Sequence, residues 1–312
     1  GLPIDAVVRA DYFYSKITLH FLIQAPNRFL FFVSLVLLLG SCKKDEQVVI
    51  PGNTAPPDNT ISNSVKDNYI NKVYISVLGR EPDSAEFSQA KTMLAQHNLS
   101  VADRQQLLDS VLNDTIYNDR IYQIARADLL NNLDTADITM YIAIFQFLLT
   151  DTTYVSAWPQ LIYEIKRMDT LKRTPADLNS QSINIIEAHR RCVNNYFYDQ
   201  INMGTENFVV SMFQNFLFRY PTTAELTQSK TMVDGQTSIV FLKTGHNKDN
   251  FITIFLESGS YFEGQVRDLY IRYLFREPTS AEAAAGTTSY KNSLDYKALQ
   301  KDILSLDEYV GL

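Results

Sequence analysis

Apolar residues recur at three- and four-residue steps along much of the chain, the period of one helix face. Three stretches show it most plainly. YINKVYISVLGR carries Val73, Val77 and Leu78 on one stripe. FVVSMFQNFLFR carries Met212, Phe213, Phe216 and Leu217, and VRDLYIRYLFR carries Leu269, Tyr270, Tyr273 and Leu274. Each runs into one recurring string: LGREPDSAE (78–86), LFRYPTTAE (217–225) and LFREPTSAE (274–282). Proline biases the preceding residue away from helical geometry, so Pro82, Pro221 and Pro278 are predicted to end the first helix. Asp83, Thr222 and Thr279 then stand three residues before Glu86, Glu225 and Glu282, the spacing of a capping box that opens a second helix.

A third element completes each copy. LLDSVLNDTIY (107–117), FITIFLESGSY (251–261) and LQKDILSLDEY (299–309) each read as a helix with a tyrosine five residues after a leucine. The pairs are Leu112 with Tyr117, Leu256 with Tyr261, and Leu304 with Tyr309. Such a unit cannot cover its own apolar face and must pack on something else. The copies are unevenly spaced, which argues against a regular solenoid. The predicted fold is all-α: an orthogonal or irregular multi-helix array of divergent helix, Arg-x-Pro turn, helix, helix units.

Between the copies the pattern stays helical. ITMYIAIFQFLLT (138–150) is apolar nearly all round and is expected to lie buried in the middle of the domain. SAWPQLIYEIKRM (156–168) follows, with Pro159 at a tolerated early position. DTLKRTPADLN, punctuated by Pro175, is predicted as a loop, and residues 182–201 as one long amphipathic helix. TSIVFLKTG (237–245) is the best strand-like stretch and reads as a loop or a small ribbon.

The recurring glutamate already has a backbone task, and three identical catalytic glutamates in one chain would be peculiar. Arg80, Arg219 and Arg276 sit where a cation suits the end of a helix dipole and can clamp a nearby carboxylate. The string is therefore read as a hinge, with a ligand-binding arginine triplet as the weaker alternative.

The N-terminal region belongs to targeting. Arg28 precedes FLFFVSLVLLLGSC (29–42), an uncharged run shorter than the ~20 residues of a membrane span but of signal-peptide size. Gly1 is not an initiator and the first methionine is Met93, so residues 1–16 are set aside from fold reasoning. Residues 1–41 are assigned to a signal peptide with a doubtful extension. LGSC resembles the lipobox of bacterial lipoproteins, in which the cysteine is acylated, so Cys42 is the expected lipidation site. CKKDEQ resembles the signals of surface-exposed Bacteroidetes lipoproteins, which implies the outer membrane and its outer leaflet. Residues 42–64, rich in Pro, Asn, Thr and Ser, are expected to form a lipidated tether. Then follow unit one (65–135), a central segment (136–205), unit two (206–265) and unit three (266–312), with 65–312 expected as one compact domain.

Composition narrows the chemistry. Hydrophobic residues make up 46% of the 312, as in globular chains. A net charge of -7 without a basic stripe argues against nucleic-acid partners. Glu187, His189 and Cys192 are close enough to share a helix face, and zinc accepts His and Cys together. No second His or Cys cluster accompanies them, so a partly buried helix face is preferred and no metal is assigned. Cys192 as a nucleophile lacks an identifiable base, and Arg190 and Arg191 fit a solvated edge better than a thiol activator. No phosphate-cradling or nucleophile-elbow glycine motif occurs. The Tyr and Phe residues mostly fall on helical stripes, so core packing precedes sugar stacking as their reading.

VYISVLGREPDSAEF with LLDSVLNDTIYNDR resembles the helical domain of planctomycete-type proteins often linked to cytochrome domains. It is also similar to a bacterial cell-surface repeat related to phycobilisome linker domains. The likeness covers residues 65–135 well and 206–312 more loosely. The Tyr-Trp pair usual in that repeat is missing; the only tryptophan is Trp158. The resemblance implies a helical scaffold or interaction role and brings no catalytic residue and no cofactor. The expected function is a non-catalytic binding or scaffold module in an envelope complex, membrane-held, with an envelope protein or glycan as partner. Glycan or polymer capture is the alternative, and an enzyme of unrecognised type the third reading.

Overall fold

Ser62 opens the first helix, its hydroxyl accepting from the Val65 amide at 3.4 Å. The computed structural model describes residues 60–312, so the signal-like run, Cys42 and most of the tether lie outside the described residues. Fifteen α-helices and one two-stranded ribbon make up the described chain, an all-α multi-helix array. They are α1 (Asn63–Leu78), α2 (Ser84–Ala95), α3 (Val101–Leu112), α4 (Tyr117–Leu130) and α5 (Thr135–Leu148). A 3-10 turn (Thr152–Ala157) leads to α6 (Trp158–Asn179), α7 (Ile185–Val193), α8 (Tyr196–Ile201), α9 (Thr205–Leu217) and α10 (Thr223–Val233). After β1 (Ser238–Val240) and β2 (Lys243–Gly245) come α11 (Lys248–Leu256), α12 (Gly259–Leu274), α13 (Ser280–Ser293), α14 (Tyr296–Leu304) and α15 (Asp307–Val310).

The three repeats occupy α1–α3, α9–α11 and α12–α14. Their stripes go inward: Val73, Val77, Met212, Phe213, Phe216, Leu269 and Tyr273 are all buried. Copies two and three touch at one close approach. A Cβ on Gly264 of α12 would stand 1.8 Å from the Phe216 carbonyl oxygen of α9, so only glycine lets these helices pack. The boundary drawn at 265/266 falls inside α12, because the tyrosine ending one unit lies in the first turn of the helix opening the next.

Those three tyrosines are buried, and each hydroxyl is bonded. Tyr117 donates to Gln300, Tyr261 meets His189 Nδ1 at 2.8 Å, and Tyr309 donates to the Lys72 carbonyl at 3.0 Å. The last of these closes the array. Lys72 Nζ donates to the Tyr309 carbonyl at 2.7 Å, Tyr69 donates to the Leu304 carbonyl at 3.1 Å, and Arg104 donates to the Ser305 carbonyl at 2.7 Å. The C-terminal unit therefore lies against α1 and α3, and residues Asn59–Leu312 form a compact unit with a core of their own side chains.

Three local expectations are revised. Residues 169–179 are not a loop: α6 continues through Pro175. Proline removes one backbone bond, but Met168, Leu171, Thr174 and Leu178 are buried at helical spacing and carry the helix through. Residues 182–201 form two helices. Asn195 divides them, donating to the Arg191 and Cys192 carbonyls (both 2.8 Å) while accepting from the Phe197 and Tyr198 amides at 2.9 and 3.0 Å. The strand-like stretch takes the second of its two expected forms, a small ribbon pairing Ser238 with Gly245 and Val240 with Lys243, turned at Phe241 and Leu242 with φ of 46° and 64°.

The third revision matters most. Helix α5 is not buried in the middle of the domain. Of its residues only Ile138 is buried. Tyr141 and Phe145 pack on Tyr196 of α8, with ring centroids 5.5 and 5.2 Å away. Met140, Ile144 and Phe147, at i, i+4 and i+7, form an outward stripe 50, 43 and 70% exposed.

Candidate functional site

The three recurring strings take one geometry. The residue after each first helix is left-handed: Gly79, Phe218 and Phe275, with φ of 73°, 54° and 56°. The arginine that follows folds across the turn and meets the glutamate six residues on, at 2.6 Å for Arg80 with Glu86, 2.6 Å for Arg219 with Glu225 and 2.8 Å for Arg276 with Glu282. Both nitrogens of each guanidinium fork are used on the carboxylate, the two-bond arrangement that fits it best. One nitrogen also reaches the next carbonyl, that of Glu81, Tyr220 or Glu277.

Each glutamate in turn accepts the amide of its own cap residue. Asp83, Thr222 and Thr279 donate at 2.7, 2.8 and 2.7 Å, and their side chains accept the glutamate's amide at 2.8, 3.3 and 3.3 Å. The guanidinium lies over an aromatic ring six residues back: Tyr74, Phe213 or Tyr270. Pro82, Pro221 and Pro278 sit between arginine and cap. The arginine bonds hold the Glu225 and Glu282 carboxyls down to about 2, and Glu86 is lowered for the same first cause. A carboxylate so stabilised is a poor proton acceptor at neutral pH.

His189 and Cys192 both point inward. Burial lowers the His189 imidazole to about 4 and raises the Cys192 thiol to about 12, so one is a neutral partner of Tyr261 and the other an inert core thiol. Glu187 turns instead to Arg190 and Arg191, at 3.1 and 3.2 Å. No group of three metal-ligating side chains occurs among the described residues.

A cavity of about 320 Å³ opens between α4, α7, α9, α12 and α14. Its polar wall holds Asp128, Gln265, Asp268 and Arg272, with Tyr273 and Gln300 behind. Arg272 joins the two carboxylates, reaching Asp128 at 3.0 Å and Asp268 at 3.2 Å. Desolvation raises Asp268 despite the pull of Arg272. Gln300 donates to Tyr273 at 2.8 Å, and burial lifts that phenol to about 12. The cavity can hold a small polar molecule through carboxylate, guanidinium and amide. It pairs no nucleophile with a base.

Helices α5 and α6 supply the other feature, an exposed apolar face built from the Met140, Ile144 and Phe147 stripe, Tyr154 and Val155 at the tip, and Ile162 and Tyr163. Spacing could not reveal the cavity, whose wall comes from five helices. The apolar face was visible as hydrophobicity, though its direction was not. Comparison of the chain with family models, with curated proteins and with solved structures finds no match.

Proposed function

We propose that the chain is an outer-membrane or cell-surface lipoprotein, anchored through Cys42, whose helical body is a non-catalytic binding or scaffold module in an envelope complex. The observation that carries this reading is that the repeated Arg, Asp, Thr and Glu side chains are spent on one another and on backbone amides at three hinges. The residues that recur in the sequence therefore have no free valence for chemistry. The LGSC run supports the anchor, and the resemblance to helical surface repeats supports a role in binding.

The test is to cross-link the native lipoprotein in its membranes and identify what co-purifies. A defined envelope partner, lost when the cross-linker is omitted but not when Glu225 is replaced by glutamine, is expected. Recovery of free protein alone, with turnover of a substrate by the purified sample, would overturn the reading. Cys42→Ala tests the anchor separately, and unchanged membrane retention would remove it.

A second reading, capture of a glycan or other polymer, has one observation in its favour. The Gln265 side chain is buried and lines the cavity beside Asp268 and Arg272. Sugar hydroxyls both donate and accept, as this amide does. Binding of mono- and disaccharides by the wild type but not by Gln265→Leu would support that reading over the first.

A further inference from the structure

We propose that the α5–α6 hairpin is a membrane-docking element that lies in the interface of a lipid bilayer. The proposal deepens the lipoprotein reading and rests on it for one argument, the nearness of the membrane.

The first support is composition. Between Asp137 and Glu164 the only charged residue is Asp151, and it caps the 3-10 turn by accepting the Thr153 amide at 2.9 Å. A run this long without other charges is common in a core, but here it is on the surface. The seven large side chains of α5, the 3-10 turn and the start of α6 are each 41–70% exposed. The inner stripe of α5 is already held by Tyr196, and the outer stripe is left 43–70% exposed.

Charge at the border is the second support. Glu164, the first acid after the run, is buried and turned to Arg167 at 2.6 Å. One turn beyond Ile162 on the same face exposed Lys166 begins a border of both signs, with Asp169, Lys172 and Arg173 after it on α6 and exposed Asp134 and Asp137 at the start of α5. An uncharged apolar face framed by charges of both signs suits acyl chains above and polar headgroups beside them.

Shape and reach agree. No single described helix is long and apolar enough to cross a membrane; α5 and the segment Thr152–Asn179 together are, but they are bent by 113°. That geometry suits lying in an interface rather than spanning it. A lipid on Cys42 would hold Thr60 within about 60 Å of the bilayer, the full extension of the intervening chain. Docking of the hairpin then follows an anchor already placed, so each needs only modest affinity.

The test uses two samples. In the first, the acylated protein is reconstituted in vesicles of phosphatidylethanolamine and phosphatidylglycerol with an environment-sensitive dye on Phe147→Cys. Cys192 is buried and does not compete for label. Brominated lipids should quench this dye and spare one on Leu242→Cys, an exposed position on the β-ribbon. In the second, residues 60–312, which close their own core, are floated with the same vesicles and with phosphatidylcholine vesicles. Binding should fall about tenfold or more in Phe147→Asp/Ile162→Asp.

An unquenched dye at position 147 in the anchored protein overturns the proposal and leaves the anchor intact. So does a dimer of residues 60–312 that Phe147→Asp dissociates, since the face would then belong to a second copy. If Cys42 carries no lipid but the fragment still binds vesicles through the hairpin, the lipoprotein reading falls and this one stands. Far-ultraviolet circular dichroism and a melt check that each variant is folded.

Discussion

Alanine in place of Glu282 removes three bonds at once: two to Arg276, at 2.8 and 2.9 Å, and one from the Thr279 amide at 2.7 Å. The folded-state carboxyl lies at about 2, well below its ordinary value of 4.5. Linkage converts that depression to at most about 3.4 kcal/mol. The pair is a quarter to a third exposed, so solvent screening reduces the figure to about 1–2 kcal/mol. Loss of a helix cap alone costs about 0.5–2 kcal/mol, in agreement. Because the folded value is depressed, this stabilisation is full above the unfolded value and fades as pH falls from about 4.5 to 2. Urea unfolding of wild type and Glu282→Ala at pH 7 and at pH 2.5 measures it. We expect a difference of about 1.5 kcal/mol at pH 7 and less than half of that at pH 2.5. Glu225→Ala should match it, since its carboxyl is equally depressed by an equivalent arginine. A difference independent of pH, or a fully stable variant that loses a binding activity, would refute the hinge and return the glutamates to the list of reactive groups.

Phe275→Gly should raise stability by about 0.5–1 kcal/mol in the same assay, because Phe275 is 85% exposed and holds a left-handed φ of 56° that glycine adopts freely. Phe218→Gly should gain less, since that ring lies under Arg267. Gly264→Ala should destabilise by about 3 kcal/mol or more, or prevent folding, because α9 and α12 must separate to admit the new carbon; circular dichroism and denaturation report it. His189 is held neutral by burial, its folded value about 4 lying below the unfolded one, so stability should be full above about pH 6.5 and fall by up to about 3 kcal/mol on the way to pH 4. His189→Gln should flatten that part of the profile and leave the lower, carboxylate part unchanged.

What could be read from residues alone follows how far apart the interacting groups lie. A capping box spans three residues and the arginine clamp six, so LFREPTSAE contained its own geometry. The division of residues 182–201 was also local: Asn195 satisfies groups on both sides of itself, a task hidden inside an otherwise continuous amphipathic pattern. Pro175 misled for the opposite reason. Its local signal was overridden by burial of Leu171 and Leu178, which depends on where α4 and α7 arrive. Closure of the array is fully non-local, because Tyr309 and Lys72 come from opposite ends of the described chain. The cavity is equally non-local, with Asp128 and Asp268 brought to one arginine by helices far apart in sequence.

Helix α5 shows a different limit. Hydrophobicity states that a segment leaves water, and it does not state what replaces the water. ITMYIAIFQFLLT has the composition of a core helix, and its inner stripe does enter the protein core at Ile138, Tyr141 and Phe145. Its outer stripe has no corresponding role in folding: Phe147 contributes little to stability at 70% exposure, and a polar residue there would serve the isolated domain as well. The rest of the chain encloses its large stripes, seals its three tyrosines and pairs its repeated arginines. Against that economy an open apolar stripe, framed by charges of both signs and placed within reach of an expected lipid anchor, calls for an occupant outside the domain. The bilayer is the proposed occupant that accounts for the missing charge and the bend together.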